Sequence, residues 1–327
     1  MKLMVLDGNS VINRAYYGVR ALTTKDGFFT NAIYGFLNIL EKLRAEEQPD
    51  ALCVAFDLKA PTFRHLQYDG YKATRHPMPD ELAMQMPVMK DVLRAMQIPI
   101  FECEGWEADD VIGTIGKRCS HAGWNCVIVT GDRDSLQLID EHVTVKLVSS
   151  KLSQTVAVNY DPAKFREEYG FDPIHLIDLK ALMGDSSDNI PGVAGVGPKT
   201  ATQLLLDYGT LDGVYAHLDA IKEKLRAKLE QGKDSAYLSY DLATIRCEAP
   251  IAFSPEACLV QPYDEAALYR LFTRLEFTRL ISRYGLHAPQ EAAENGSLEG
   301  ICTSEAVYDA ARAEALAASF QKEHYVT

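Results

Sequence analysis

Gly105-Trp106-Glu107-Ala108-Asp109-Asp110 sets three carboxylates within four residues at the start of a helical pattern. Taken alone this is an ordinary capped helix, because acids in a first turn are favoured by the helix dipole and by free backbone N–H groups. Its weight comes from acids elsewhere that close short apolar runs. Leu3-Met4-Val5-Leu6 runs into Asp7, Ala51-Leu52-Cys53-Val54-Ala55-Phe56 into Asp57, and Cys126-Val127-Ile128-Val129-Thr130 into Gly131-Asp132-Arg133-Asp134. Such runs, bounded by turn residues, read as buried parallel strands, and ligands on parallel sheets sit beyond the carboxyl ends of the strands. The acids therefore converge on one edge. Asp185 and Asp188, spaced i, i+3 after Leu182-Met183-Gly184, complete a set of nine: Asp7, Asp57, Glu107, Asp109, Asp110, Asp132, Asp134, Asp185 and Asp188. Nine like charges cannot share one small volume unpaired. Divalent cations resolve the repulsion, and oxygen-only ligation without His or Cys points to Mg²⁺ or Mn²⁺ rather than Zn²⁺.

The 327 residues allow one to two domains around a sizeable core. No apolar run approaches the ~20 residues needed to span a bilayer, and Met1-Lys2-Leu3-Met4 enters a strand pattern without a signal-peptide layout. A cytoplasmic protein is expected. The seven cysteines form no CxxC pair and read as reduced, mostly buried thiols rather than a disulfide frame or zinc site. A net charge of −13 argues at first against a nucleic-acid partner. Setting the nine acids aside leaves −4, and residues 287–327, with seven acids and two bases, account for −5. The remainder is near neutral and carries local basic stretches, so charge does not veto phosphate binding.

In chain order, Ser10 is a candidate cap for a helix to about Arg20, and Asn31 to Arg44 has the apolar spacing of a packing helix. Lys59 to Pro79 interleaves basic and aromatic residues with prolines; it reads as a solvated loop or as a mobile lid that grips phosphate. Asp80 to Met96 is helical with a kink expected at Pro87, Ile98 to Phe101 a short strand, and Glu107 to His121 a helix ending at Gly123. Val143 to Val148 and Thr155 to Val158 close the sheet. A mostly parallel α/β sheet with the site at a topological switch point is the economical architecture. From Asp161 the pattern is helical, and Gly195-Val196-Gly197-Pro198-Lys199-Thr200 opens a helix through Leu206. Its spacing does not fit a Walker A loop. Backbone N–H groups at a helix start with Lys199 beside them suit a DNA phosphate, in a helix–hairpin–helix arrangement.

Together Asp7, Phe56-Asp57, Phe63-Arg64, Gly70-Tyr71-Lys72-Ala73-Thr74-Arg75, Glu107-Ala108-Asp109-Asp110, Gly131-Asp132-Arg133-Asp134, Gly184-Asp185-Ser186-Ser187-Asp188 and Gly192 through Ala201 resemble the 5′ nuclease domain of bacterial DNA polymerase I, in the flap endonuclease superfamily. The resemblance covers about residues 1–286. It implies a PIN-like α/β core at 1–160 with a helical arch at about 59–80, a helical region at 161–286 with the hairpin at about 188–208, and a linker plus the start of a following domain at 287–327. It further implies a 5′–3′ exonuclease and flap endonuclease that hydrolyses DNA with two or more Mg²⁺ ions, Mn²⁺ being a substitute. The implied substrates are 5′ flaps and nicked or RNA-primed duplexes. Asp7, Asp57, Glu107 and Asp109 match ligands of one ion and Asp132, Asp134 and Asp188 those of another, with Asp110 and Asp185 outside them. Lys72 and Arg75 match a basic pair that positions the scissile phosphate. Arg64, Tyr71, Gly192, Gly195, Gly197, Lys199 and Thr200 are the expected DNA contacts, with K⁺ on carbonyls of the hairpin. The expected state is a monomer, followed in the full chain by proofreading and polymerase domains. The alternatives are a non-catalytic DNA-junction binder, a stand-alone exonuclease paralogue and a PIN-type ribonuclease, the last disfavoured by the hairpin.

Overall fold

Side chains of the short apolar runs alternate between two buried layers. In the computed structural model, which describes residues 1–151 and 154–289, β1 (Lys2–Asp7) sends Leu3 and Val5 into one layer and Met4 and Leu6 into the other. β2 (Ala51–Ala55) and β4 (Asn125–Thr130) repeat this, with Cys53 and Ile128 on the first side and Val54 and Val129 on the second. A strand buried on both faces must be apolar at every position, which is why these runs are continuous rather than alternating. With β3 (Ile100–Phe101), β5 (Val143–Lys151) and β6 (Gln154–Tyr160) they form, among the described residues, one sheet of order β3-β2-β1-β4-β5-β6. All pairings are parallel except β5 with β6.

The chain steps outward from β1 to β2 and β3, then returns to the other side of β1 for β4. This reversal opens a crevice between the carboxyl ends of β1 and β4, where Asp7 and Asp132 lie. Helices Asn31–Glu47, Gln85–Ala95 and Glu265–Arg274 cover one layer, and helices Ala108–His121, Leu176–Met183 and Pro198–Tyr208 the other. Met1–His287 is one unit. The expected linker beyond residue 289, the helical stretch at 304–320 and the ending at 324–327 lie outside the described residues.

Several local expectations shift. The first helix runs Gly8–Gly18 and is capped by Asp7, not Ser10: the Ser10 N–H donates to Asp7 Oδ1 at 2.9 Å. The break in the 80–96 stretch falls at Met84, between helices Asp80–Ala83 and Gln85–Ala95. Pro87 thereby lands in the first turn of the second helix, where its missing N–H has no partner to lose. Glu107 is the N-cap of helix Ala108–His121 rather than its first residue. The 59–80 stretch is not loop throughout, since Phe63–Gln67 makes a short helix. Cys53, Cys119, Cys126 and Cys258 are buried free thiols, whereas Cys103 and Cys247 are partly exposed. No helix among the described residues is long and apolar enough to cross a membrane.

Phe36, fully buried under the sheet, anchors the layer of helix Asn31–Glu47. Phe36→Ala is expected to cost about 3–5 kcal/mol. A urea titration reads this as a lower midpoint at unchanged slope; an unmoved midpoint would show that this layer is not tightly packed.

Candidate active site

Four of the nine acids line one cleft of about 460 Å³, beside Asn9, Ser10, Asn13, Lys72, Arg75 and His76: Asp7, Asp57, Asp109 and Asp132. Each is aimed by the backbone. Asp7 accepts the Ser10 N–H through Oδ1 and the Thr130 hydroxyl through Oδ2 at 2.8 Å, tying β1 to β4. Asp57 follows β2; its N–H donates to Asn9 Oδ1 at 2.9 Å and its Oδ1 accepts the Ala108 N–H at 2.7 Å. Asp132 has its N–H on Thr130 Oγ1 at 3.0 Å and accepts the Asp134 N–H at 2.9 Å. Asp109 sits in the first turn of helix Ala108–His121.

The crowding is visible in proton affinity. Burial, with the charges of Asp57 and Asp132 adding to it, lifts Asp7 to about 7. Asp109 is pushed well up by burial and by Asp132, Asp7 and Asp57. Asp57 rises through the depth of the cleft, although solvent still reaches its side chain. Among the described residues no group of three His, Cys, Asp or Glu is drawn together tightly enough to cage an ion unaided. The positive charge here comes from Lys72 and Arg75.

The remaining acids are internally neutralised, which corrects the expectation of one shared volume. Asp110 is fully buried: Arg64 grips it with Nη1 to Oδ2 at 2.7 Å and Nη2 to Oδ1 at 2.8 Å, and the N–H groups of Glu107 and Arg246 take its other lone pairs. It has no open face for a metal. Arg64, 2% exposed, is correspondingly no DNA contact; it also donates to Glu107 and to the carbonyls of Leu242 and Thr244. Tyr71, 4% exposed, is likewise withdrawn, its hydroxyl donating to Glu107 at 2.9 Å and to Asp188 at 3.3 Å. Glu107 accepts Lys72 Nζ at 2.6 Å. Burial would raise its pKa, but Lys72 and Arg64 outweigh burial and lower it. Asp188 accepts Arg75 at 2.5 Å and lies 3.8 Å from Lys72 Nζ. Asp134 and Asp185 both contact Lys180 instead of lining the cleft.

These bonds dock the basic segment onto the acidic loop. The Lys72 N–H donates to Asp188 O at 2.9 Å, and Asn189 Nδ2 to Gly70 O at 2.7 Å. Lys72 and Asn189 hold left-handed backbone, φ 54° and 55°, a conformation that costs a non-glycine residue about 1 kcal/mol or more and persists where surrounding contacts over-determine it.

The glycine-rich turn is divided. Gly195, Gly197 and Lys199 are exposed and Thr200 is half-buried, at the start of helix Pro198–Tyr208, which has no side-chain cap. Gly192 is buried; its N–H donates to Ser239 Oγ and its carbonyl accepts Ser235 Oγ. It shapes the turn and is corrected as a DNA contact: φ is 62°, and a Cβ there would lie 2.2 Å from Gly184 N.

Residues 2–170 match the model of the 5′-3′ exonuclease N-terminal resolvase-like domain, and 171–266 that of the 5′-3′ exonuclease C-terminal SAM fold. The chain belongs to the 5′–3′ exonuclease family. Among its relatives is the DNA polymerase I of Caldicellulosiruptor bescii, 46% identical over 88% of this chain and 34% of that protein. The Bacillus subtilis DNA polymerase I is 40% identical over 92% of this chain and 34% of its own length. The chain thus spans about a third of the length of the curated relatives it matches. In fold it is like the bacteriophage T5 flap endonuclease solved with DNA and metal ions (TM-score 0.61, 21% identity, covering 88% of this chain and 100% of that one).

In this exonuclease chain the sequence reading missed Asn9 and Asn13, which line the cleft one helical turn apart. The signal was available, since a helix opening on Asp7 brings positions i and i+4 to the same side. It also missed Thr130, the bridge between Asp7 and Asp132.

Two outcomes follow from these contacts. Arg64→Ala strands Asp110 in the interior and is expected to cost about 3–5 kcal/mol of unfolding free energy; near-wild-type stability with lost DNA affinity would restore Arg64 to the DNA surface. For Asp7, the folded pKa of about 7 lies above the ordinary 3.8, so its contribution to stability is present below pH 3.8 and lost as pH rises to 7. The melting temperature of Asp7→Asn relative to wild type, both in EDTA, should therefore rise from pH 5 to pH 8; a constant difference would show that Asp7 does not hold its proton.

Proposed function

We propose that this chain is a metal-dependent, structure-specific 5′ nuclease, the nuclease part of a DNA polymerase I, that cuts 5′ flaps and nicked or RNA-primed duplexes during replication and repair. The observation that carries this reading is the opening of Asp7, Asp57, Asp109 and Asp132 into one cleft beside Lys72 and Arg75. Carboxylates that raise one another's pKa are short of positive charge, and oxygen donors of this kind fit Mg²⁺ or Mn²⁺. Divalent ions held there by these four acids would supply the Lewis acidity that phosphodiester hydrolysis needs. Glu107, Asp134 and Asp188 stand behind them and join only by exchanging their present Lys and Arg partners.

Lys72 and Arg75 offer cations at the cleft wall to a scissile phosphate, and the docking of 70–75 on Asp188 and Asn189 fixes where they point. Lys199, Thr200, Gly195 and Gly197 offer a charged, uncapped helix start to the duplex backbone. A K⁺ ion fits less well. The Gly192 carbonyl accepts Ser235, the Val193 carbonyl the Val196 N–H, and the Gly195 carbonyl Lys228 Nζ at 2.9 Å, so no role for K⁺ is derived.

The deciding experiment is cleavage of a 5′-labelled flap duplex with Mg²⁺, with EDTA, and by Asp132→Ala with Mg²⁺. Cutting near the junction by wild type with Mg²⁺ alone is expected. Tight flap binding without cutting would favour a junction-binding protein, and faster cutting of single-stranded RNA a ribonuclease. Lys72→Ala should slow single-turnover cleavage at least tenfold with little change in duplex affinity, and Lys199→Ala the reverse. Equal binding losses in both would remove this division of labour.

A further inference from the structure

Lys180 lies on helix Leu176–Met183 and is only 6% exposed. Its ammonium contacts Asp134 Oδ1 and, at 2.5 Å, Asp185 Oδ2. Asp134 opens the short 3₁₀ turn Asp134–Leu138 after β4, and Asp185 follows Gly184 at the end of the lysine's own helix. One cation thus ties the β4 loop to the loop that carries Asp188. The other cations nearby are engaged elsewhere, Lys72 on Glu107 and Arg75 on Asp188.

A lysine is buried with its charge only where carboxylates repay its lost hydration. Burial works against the charged form of Lys180, yet Asp134 and Asp185 outweigh it and raise its pKa. An ammonium is a compact point charge on a flexible stem. Between two carboxylates it does the bridging work of a divalent ion with half the charge and no Lewis acidity.

We propose that Lys180 is a built-in counter-ion that holds Asp134 and Asp185 in place and competes with a divalent ion for them. Metal binding on this side is then weaker than at Asp7, Asp57, Asp109 and Asp132. The inference rests on reading the acids as divalent-ion ligands. Lys180 is a positioning residue, acting through the carboxylates it touches. An ion among Asp134, Asp185 and Asp188 meets a like charge at contact range and must displace it.

The test is Mn²⁺ binding to the whole 327-residue chain, followed by the electron paramagnetic resonance of free Mn²⁺, for wild type, Lys180→Met and Lys180→Arg. Lys180→Met keeps the stem and removes the charge. The weaker binding event should tighten about tenfold in it while the tighter one stays put, and Lys180→Arg should behave as wild type. In EDTA the melting temperature of Lys180→Met should fall, and Mn²⁺ should raise it by more than it raises wild type. Should Lys180→Met lose its circular dichroism without metal, Lys180→Gln takes the same titration. Wild-type Mn²⁺ affinities in the neutral variants would overturn this inference alone. Absence of Mn²⁺ binding to every protein, wild type included, would overturn the ligand reading and this inference with it.

Discussion

Like charge held at close quarters is the constraint on which this structure depends, and Asp7 is where it begins. The residue ends β1, caps the helix that follows and binds Thr130 across the crevice to β4. Those roles fix its carboxylate before any ligand is considered. Because strand order reverses beside β1, Asp57 and Asp132 arrive at the same edge, and helix Ala108–His121 adds Asp109 from the layer beneath. A parallel sheet puts the ends of distant segments together at no cost in side-chain freedom. It also prevents the acids from moving apart.

The chain manages the excess by sorting it. Arg64 takes Asp110 out of the reckoning and shares Glu107 with Tyr71 and Lys72; Arg75 takes Asp188; Lys180 takes Asp134 and Asp185. Only four acids are left facing the cleft without a cation in direct contact. The Arg64 pair is structural in its energetics, since both partners are buried and every carboxylate lone pair is spoken for. Lys72 differs. It is fixed in a left-handed turn against Asp188 and its ammonium stands at the cleft, so the same residue neutralises an acid and remains at the surface a phosphate would meet.

The layered sheet and the edge at which the acids gather were legible because both follow from backbone periodicity. Apolar runs such as Val127 to Val129 admit one arrangement when both faces are buried, and an acid at the end of such a run has one place to go. What the residues alone did not disclose was direction. Glu107, Asp109 and Asp110 look alike in sequence, yet Asp109 turns to the cleft while Asp110, about 100° round the helix, turns inward to Arg64. Arg64 and Tyr71 were expected DNA contacts from the family resemblance, and nothing local reveals that their partners lie 36 to 180 positions away. Gly192 was recognisable as a turn former, but Ser235 and Ser239, which consume its backbone groups, come from a distant helix.

Sites of this kind trade stability for readiness. An acid such as Asp7 or Asp109 that holds its proton well above the ordinary range spends folding free energy near neutral pH, and a protein that needed only the fold would replace it with an amide or an apolar residue. Here the acids left without a cation in direct contact are confined to four residues at one edge, while the others are paired with Lys or Arg and the two hydrophobic layers are filled by large aliphatic and aromatic side chains. That confinement is itself informative. Had the acids been there to hold the fold, the pairing seen at Arg64 with Asp110 would have been extended to them, and the crevice at the switch point would have been closed by a cation from the chain.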